Sequence, residues 1–188
     1  MQEFIYVTGM VLKQSAIGEY DRRLCILTKE RGKISAFAKG ARKPGSRLAA
    51  AACPFAFGNF KLYEGKNSYT VAEADIQNYF EALRSDFEGA YYGMYFAEIA
   101  DYYTRENNDE KEMLKLMYLS LRALSAASLD RRLVRAIVEI KAVGINGEFF
   151  GIPQDREYLP STLYAVDFIF SSRIEKLYTF TVKEEVSL

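Results

Sequence analysis

The fold of this chain is indicated first by residues 22–47, which read RRLCILTKERGKISAFAKGARKPGSR. Two runs in this stretch, residues 22–28 and 33–38, are rich in apolar and β-branched side chains. They are separated by a short polar segment that ends in Gly32, an arrangement typical of a β-hairpin with glycine in the left-handed conformation. Residues 39–47 have no hydrophobic period and are predicted to form a loop.

Further strand-like runs flank this hairpin on both sides. Residues 5–13 precede it, and residues 55–63 and 69–76 follow it, while residues 48–52 are predicted to form one helical turn. Five strands in about 75 residues, with an irregular stretch between the third and the fourth, predict a small closed barrel of the OB type.

The hydrophobic period becomes helical after residue 79. Ser85-Asp86-Phe87-Glu88 has the S-x-x-E form of a capping box, in which Ser85 would be the N-cap of a helix. The helix that follows carries a broad aromatic surface, so we expect it to be central and mostly buried. Its apolar positions are Tyr91, Tyr92, Tyr95, Phe96, Ile99, Tyr102 and Tyr103.

Two more helices are predicted before residue 145. Residues 107–109 (NND) offer an N-cap for the first, residues 110–126, which carries Met113, Met117, Leu121 and Leu124 at helical spacing. In the second, residues 128–143, Leu133, Ile137 and Ile140 are expected to face inward and Gly144 to end the helix. Residues 162–170 are predicted to form one more helix.

These patterns predict an α+β fold in two parts. Residues 1–80 would form a five-stranded OB-fold β-barrel, and residues 81–188 an all-α helical bundle.

The formal net charge of the chain is zero, with 25 basic and 25 acidic residues, but the charge is unevenly distributed. Residues 1–66 carry a net charge of +7 and the remaining residues −7. Nine basic residues and a single acid, Glu30, lie between Arg22 and Arg47. Such asymmetry favours a polyanion-binding module joined to an acidic one, although a solvated basic surface is the simpler alternative.

The composition argues against several classes of protein. The chain contains no histidine, so a Ser-His-Asp triad and an imidazole zinc ligand are excluded. The two cysteines, Cys25 and Cys53, are too few for a CxxC…CxxC metal site and are expected to be buried free thiols. No Walker-type loop or G-x-S-x-G motif occurs, so we expect no enzyme, cofactor or metal. The sequence shows no signal peptide and no apolar run of about 20 residues, which predicts a cytoplasmic protein.

A basic barrel can bind single-stranded nucleic acid through cations that neutralise phosphates and aromatic rings that stack on bases. The candidate cations lie in the hairpin and in the loop that follows it, where Gly40 and Gly45 would allow close backbone approach. Phe37, beside the loop, is the candidate stacking residue, whereas Phe55, Phe57, Phe60 and Tyr63 are expected to fill the core. The candidate cations are Arg22, Arg23, Lys29, Arg31, Lys33, Lys39, Arg42, Lys43 and Arg47.

A second basic cluster lies in the helical part of the chain. Arg131 and Arg135 are one helical turn apart, and Arg132 lies between them. The cluster is interpreted either as a solvated helix surface or as a dock for a carboxylate or another small anion.

Several motifs resemble those of the bacterial RecO family of recombination mediators. They begin with VTGMVLK at residues 7–13, IGEYDRR at 17–23 and the loop KGARKPGSRL at 39–48. Pro54-Phe55, RAIVEIK at 135–141 and SSRIEKLY at 171–178 are also similar to the family and follow in the same order.

The resemblance implies an OB fold followed by a helical domain, and a non-enzymatic role in DNA repair and homologous recombination by the RecFOR route. Members bind single- and double-stranded DNA, anneal complementary strands and, with RecR, help RecA displace single-strand binding protein at sites of DNA damage. The family's DNA-binding surface maps onto Arg22, Arg23, Lys33, Lys39, Arg42, Lys43 and Arg47. Its dock for the acidic tail of single-strand binding protein maps onto Arg135, with Arg131 and Arg132 beside it. The implied location is the bacterial cytoplasm, at the nucleoid.

The sequence departs from the family pattern in two places. Many members carry a four-cysteine zinc module, but residues 146–160 contain no cysteine, so no zinc is expected. The sequence ends at Leu188, where the family usually continues into a last helix, which suggests a shortened member. Two alternatives therefore stay open: an adaptor that binds only RecR and single-strand binding protein, or an RNA-binding OB-fold protein.

Overall fold

The computed structural model describes residues 4–65 and 68–147. Its N-terminal part is a closed barrel with the strand order β1-β2-β3-β5-β4. All strand pairs are antiparallel except β3–β5, which is a short parallel pair. The strands are β1 (Phe4–Ile17), β2 (Asp21–Thr28), β3 (Gly32–Ala38), β4 (Phe57–Glu64) and β5 (Tyr69–Asn78). The predicted α+β fold with an OB-type barrel is thus confirmed, and the predicted helical turn between the third and fourth strands is α1 (Leu48–Ala51).

Four helices follow the barrel in the described residues. They are α2 (Glu81–Arg84), α3 (Phe87–Tyr103), α4 (Lys111–Ser125) and α5 (Arg131–Ile145). The helix predicted for residues 162–170 lies outside the described residues. Within the described ranges, no helix is long and apolar enough to cross a membrane.

The described residues form two hydrophobic clusters, and only one of these is confined to the barrel. Val11, Ile26, Ile34, Phe60 and Leu62 are among the side chains that fill the barrel interior. They occupy alternate positions on their strands, as expected for a barrel whose interior is packed with side chains.

The second cluster joins the outer surface of the barrel to the helices. Met10 of β1 and Leu27 of β2 pack against Phe96 of α3 and Met117 of α4, and Phe55 lies in the same cluster. Gly93 makes this packing possible, because a Cβ at that position would lie 2.8 Å from Cζ of Phe55. The barrel and the helices therefore share one core.

The core positions predicted among the barrel aromatics are confirmed in part. Phe55 and Phe60 are buried, but Phe55 belongs to the core that the barrel shares with the helices. Phe57 is half-buried against the same cluster. Tyr63 is half-buried against Phe4, with ring centroids 4.2 Å apart.

Two expectations for α3 are wrong. The N-cap is Asp86 rather than Ser85, because the Asp86 carboxylate accepts a hydrogen bond from the backbone N of Gly89 at 3.1 Å. The helix is also not mostly buried: Tyr91 and Tyr102 are 59% and 71% exposed. The helix contacts its neighbours through Phe96 and small residues such as Gly93, so the tyrosines extend around the remaining surface.

The helices α4 and α5 also differ in part from expectation. The buried stripe of α4 is confirmed, but its N-cap position is Glu110, whose carboxylate accepts from Arg105 N at 3.0 Å. In α5 the buried residues are Val134, Val138 and Ala142, which lie one or two positions after the predicted Leu133, Ile137 and Ile140. The three predicted residues are half-buried. The helix continues through Gly144 to Ile145, and Gly147 adopts the positive φ of 73°.

Candidate nucleic-acid interface

Residues 39–47, here called the basic loop, connect β3 to α1 at one end of the barrel. The loop is fixed to the turn between β1 and β2 by three hydrogen bonds. The backbone N of Gly40 donates to Asp21 Oδ1 at 2.7 Å, the backbone N of Arg42 to Tyr20 O at 2.8 Å, and the Arg42 guanidinium to Gly18 O at 3.2 Å. Gly40 has a φ of 66°, which favours glycine. The loop thus presents its side chains from a defined backbone.

Four cations of the basic loop, Lys39, Arg42, Lys43 and Arg47, are exposed. Lys43 Nζ lies 5.4 Å from the centroid of the Tyr20 ring. None of the four forms an ion pair with an acidic side chain in the part of the chain that the structure describes. Their charge is therefore available to an external polyanion.

Arg23 and Phe37 extend this basic end onto the outer face of the barrel. They are direct cross-strand partners on β2 and β3, and Ala38, where β3 ends, is next to Phe37 in sequence. Arg23 is exposed and donates from Nε to Ser35 Oγ at 2.8 Å, while the Phe37 ring is half-buried. A cation and an aromatic ring thus lie side by side close to the basic loop.

Arg22 and Lys33, the other two cations of the surface that the family resemblance implies, are placed elsewhere. The Arg22 Nη1 donates to the carbonyl oxygens of Ala49 at 3.3 Å and Ala52 at 3.5 Å, at the C-terminal end of α1. Lys33 lies at the opposite end of β3 from the basic loop, with its Nζ 3.0 Å from Oδ1 of Asp101. Of the two remaining candidate cations of the hairpin, Lys29 is exposed, and Arg31 Nη2 lies 3.8 Å from Oε2 of Glu64. The structure therefore does not bring all the predicted residues into one cluster.

Asp101 of α3 is a charged centre that sequence reasoning missed. Its carboxylate pairs with Lys13 at 2.5 Å and Lys33 at 3.0 Å, and it accepts from the Cys25 thiol at 3.4 Å. Burial by itself would raise the pKa of Asp101, but the hydrogen bonds from Lys13, Lys33 and Cys25 lower it from 3.8 to about 2. No local pattern places a helical aspartate on a barrel surface, so no signal in the sequence could have identified this contact.

The thiol of Cys25 is held in its neutral form. Burial, followed by the negative charge of Asp101, raises its pKa from 9.0 to about 12. Cys25 and Cys53 are free thiols as predicted, but both are half-buried rather than buried.

A cleft of about 540 Å³ lies between the outer face of β1–β3 and the C-terminal end of α3. Its lining includes four cations, Lys13, Arg23, Lys33 and Arg105, and two acids, Asp101 and Glu106. In the described residues, no group of three or more His, Cys, Asp or Glu side chains is placed to hold a metal ion.

The predicted anion dock lies on the helices, away from the barrel. A groove of about 430 Å³ is lined by Glu88, Tyr91, Tyr92, Tyr95 and Arg135. The Arg135 guanidinium lies 5.5 Å from the centroid of the Tyr95 ring. Its Nε donates to Glu139 Oε1 at 2.7 Å, and the Tyr95 hydroxyl donates to the same oxygen at 2.7 Å.

The other two arginines of this cluster differ from Arg135. Arg131 pairs with Asp86 and, at 2.9 Å, with Glu88, so it connects the first turns of α3 and α5. The hydrogen bond from the backbone of Gly89, followed by the one from Arg131, lowers the pKa of Asp86. Arg132 is exposed. Of the three arginines, only Arg135 lines the groove.

The closed barrel with its basic loop, joined through a shared core to a helical bundle, places the chain among OB-fold proteins with an appended helical domain. Two family models match in the same order: "Recombination protein O N terminal" over residues 1–80 and "Recombination protein O C terminal" over residues 84–150. The chain belongs to the RecO family.

Curated relatives named "DNA repair protein RecO" agree with this assignment. The protein from Acetivibrio thermocellus is 33% identical over 144 residues, which is 77% of this chain and 57% of the relative. That from Bacillus subtilis is 31% identical over 139 residues, 74% of this chain and 54% of the relative. The protein from Clostridium perfringens is 25% identical over 208 residues, 95% of this chain and 85% of the relative. The chain thus spans just over half the length of the first two relatives.

Proposed function

We propose that this chain is a non-enzymatic mediator of DNA repair and homologous recombination that binds single- and double-stranded DNA. It anneals complementary strands and, together with RecR, helps RecA to load onto DNA coated with single-strand binding protein. Family membership supports the role in repair and recombination. The observation that carries the DNA-binding part is the exposed cation cluster at one end of the barrel.

The cations act through electrostatics. Each Lys or Arg that neutralises a phosphate releases counterions, and a ring such as Phe37 can stack on a base. The proposed contacts are Arg23, Phe37, Lys39, Arg42, Lys43 and Arg47. Arg22 and Lys33, which the sequence predicts for the same role, already bond to groups within the protein.

Charge reversal in the basic loop tests this proposal. The triple variant Arg42→Glu, Lys43→Glu, Arg47→Glu should bind single-stranded DNA much more weakly than the unmodified protein. If all three residues contact phosphates, the slope of log K against log salt should become shallower by about 2. Fluorescence anisotropy with a labelled oligonucleotide across a salt series measures both quantities.

A matched control has the same change of charge on a different surface. The variant Lys111→Glu, Lys115→Glu, Arg122→Glu changes three exposed cations of α4 and should keep most of the affinity. Circular dichroism verifies that both variants are folded. Equal affinity of the basic-loop variant and the unmodified protein would refute DNA binding by this loop.

Two further assays separate the alternatives. An adaptor that contacts only RecR and single-strand binding protein would leave the annealing rate of fluorescent complementary oligonucleotides at its protein-free value. An RNA-binding OB-fold protein would be displaced from labelled DNA far more effectively by RNA than by unlabelled DNA of the same sequence.

We also propose that the groove beside Arg135 receives the acidic, carboxylate-ended tail of single-strand binding protein. A guanidinium can bind a carboxylate through two parallel hydrogen bonds, and the tyrosine rings offer an apolar wall. Arg132 supplies additional positive charge at the surface, while Arg131 positions the first turns of the two helices.

The tail site is tested with a labelled tail peptide. Arg135→Ala should weaken binding by roughly tenfold, the loss expected for a charge-assisted hydrogen bond of about 1.5 kcal/mol. Amidation of the peptide C-terminus should weaken binding to the unmodified protein by a similar factor. Amidation should change the affinity for the Arg135→Ala variant only slightly. Lys115→Ala, which removes an exposed cation of α4, is the control and should bind normally. Unchanged binding by Arg135→Ala would exclude this groove.

In this proposal residues 1–80 form the DNA-binding domain and residues 81–188 the helical domain that contacts single-strand binding protein. The protein would act in the bacterial cytoplasm at the nucleoid, without a cofactor. The predicted absence of a zinc module concerns residues that lie almost entirely outside the described ranges.

A further inference from the structure

We infer that the cleft between β1–β3 and the end of α3 is a second site that binds the phosphate backbone of single-stranded DNA. In this cleft, Asp101 competes with the DNA for the lysines Lys13 and Lys33. This inference rests on the proposed function, since it extends the path of the DNA from the basic loop. It adds Lys13 and Arg105 to the DNA-binding surface.

The cleft continues directly from the proposed DNA site. Arg23 lines the cleft and is the cross-strand partner of Phe37, next to which β3 ends and the basic loop begins. From this point, two cross-strand rows on the outer face of the barrel lead into the cleft. The first row contains Ser15 and Arg23, and the second contains Lys13, Cys25 and Ser35. A DNA strand on the basic loop can therefore enter the cleft past Arg23 and Phe37.

The lining has the chemistry that a phosphodiester requires. The cleft volume of about 540 Å³ is in the range of pockets for nucleotide-sized ligands. The Lys13 side chain is 63% exposed, so a phosphate oxygen can approach it from solvent. The hydroxyls of Ser15 and Ser35 are further donors.

Arg105 brings a cation from the helical part of the chain to the same cleft. Its Nη1 donates to the carbonyl oxygens of Tyr102 at 2.6 Å and Thr104 at 2.8 Å, which fixes the guanidinium at the C-terminal end of α3. The side chain is exposed. In the described ranges its Nη2 and Nε make no hydrogen bond, so they can donate to a phosphate.

Asp101 determines how much of this positive charge a phosphate meets. Its carboxylate holds Lys13 and Lys33 together, and its backbone oxygen accepts a further hydrogen bond from Lys33. A phosphate that approaches Lys13 from solvent meets an ammonium that is already paired with Asp101, and it lies close to the negative charge of that carboxylate. Removing that charge should strengthen DNA binding, whereas removing a charge far from the cleft should not.

The test compares Asp101→Asn with Asp75→Asn, which makes the same change of charge on β5, outside the cleft lining. Asp101→Asn should bind single-stranded DNA roughly two- to fivefold more tightly, the range that an exposed ion pair is worth. Its salt slope should be steeper by about 0.7, equivalent to one additional phosphate contact. Asp75→Asn should bind like the unmodified protein.

Lys13→Gln is the second variant and keeps the inference testable if Asp101→Asn folds poorly. Its exposed side chain can be replaced with little effect on packing, and it should bind about twofold more weakly with a slope shallower by about 0.7. Unchanged affinity and slope for both cleft variants would overturn the inference. If the cleft variants bind normally but the basic-loop triple variant loses binding, the proposed DNA binding by the basic loop stands and only the cleft is excluded. If the triple variant also binds normally, the proposed DNA binding and the cleft inference both fail.

Discussion

Gly32 allows the barrel and the segment after α3 to approach closely, because it has no side chain. It begins β3 with a φ of 65°, and a Cβ there would lie 2.3 Å from the carbonyl oxygen of Arg105. The neighbouring backbone supports this close approach, because Lys33 N donates to Arg105 O at 3.0 Å and Asn107 N to Arg31 O at 2.9 Å. The sequence identifies Gly32 as a turn residue, but only the structure shows that it is also a contact residue.

Gly32→Ala should therefore destabilise the protein by more than the backbone strain alone. The strain at positive φ costs about 1 kcal/mol, and the collision with Arg105 O should bring the total to roughly 3 kcal/mol. Gly18→Ala is the matched control, because Gly18 has a φ of 55° but a Cβ there would meet no other atom within 4 Å. Urea unfolding of both variants measures the difference, and equal losses would contradict the role of the Arg105 contact.

At the scale of the elements, α1 is a single turn that depends on a side chain from β2. Arg22 donates to two carbonyl oxygens at the C-terminal end of this turn. The last carbonyl groups of a helical turn lack helical partners, so hydrogen bonds from a cation stabilise them. The turn follows the basic loop directly and precedes β4. Arg22 thus supports the segment that carries the DNA-binding candidates.

Arg22→Gln is expected to act on stability rather than on DNA affinity. The loss of its hydrogen bonds should lower the free energy of unfolding by about 1–2 kcal/mol. The salt slope of DNA binding should stay the same, in contrast to Arg42→Gln, which should make it shallower by about 0.7. Calorimetry and the anisotropy salt series measure the two effects. A shallower slope for Arg22→Gln would instead place Arg22 on the DNA.

At the scale of the whole molecule, the barrel and the bundle are held together by the shared core and by Asp101. Because apolar residues of both parts pack in one cluster, we expect them to unfold together rather than as separate domains. The lysine pairs with Asp101 lie at the edge of this core and add an electrostatic contribution that depends on pH.

The stability that Asp101 contributes should disappear in acid. Its pKa is lowered from 3.8 to about 2 on folding, so the contribution is complete above about pH 5 and is lost as the pH falls towards 2. Asp101→Asn should consequently melt a few degrees below the unmodified protein at pH 6, and the two should converge near pH 2. Melting curves by circular dichroism across this range measure the difference; a gap that persists at pH 2 would contradict a charge-dependent contribution.

The fold can be predicted from the sequence because its signals are local. Alternating apolar positions define the strands, and Gly32 and the stripe of α4 mark a hairpin and a buried helix face. Much of the candidate DNA surface is predictable for the same reason. The basic loop is one continuous segment, and cross-strand pairing makes Arg23 and Phe37 neighbours as soon as the hairpin is recognised.

Contacts between distant segments, in contrast, depend on how the helices pack on the barrel. Charge and periodicity belong to each segment separately, so they are sufficient to place a basic barrel before a helical region. They do not show that Arg22 donates hydrogen bonds to α1, that Asp101 of α3 pairs with Lys13 and Lys33, or which face of α5 is buried. The physical reason is that a charge or an apolar face acquires its role from its neighbours in space, and the tertiary packing selects those neighbours.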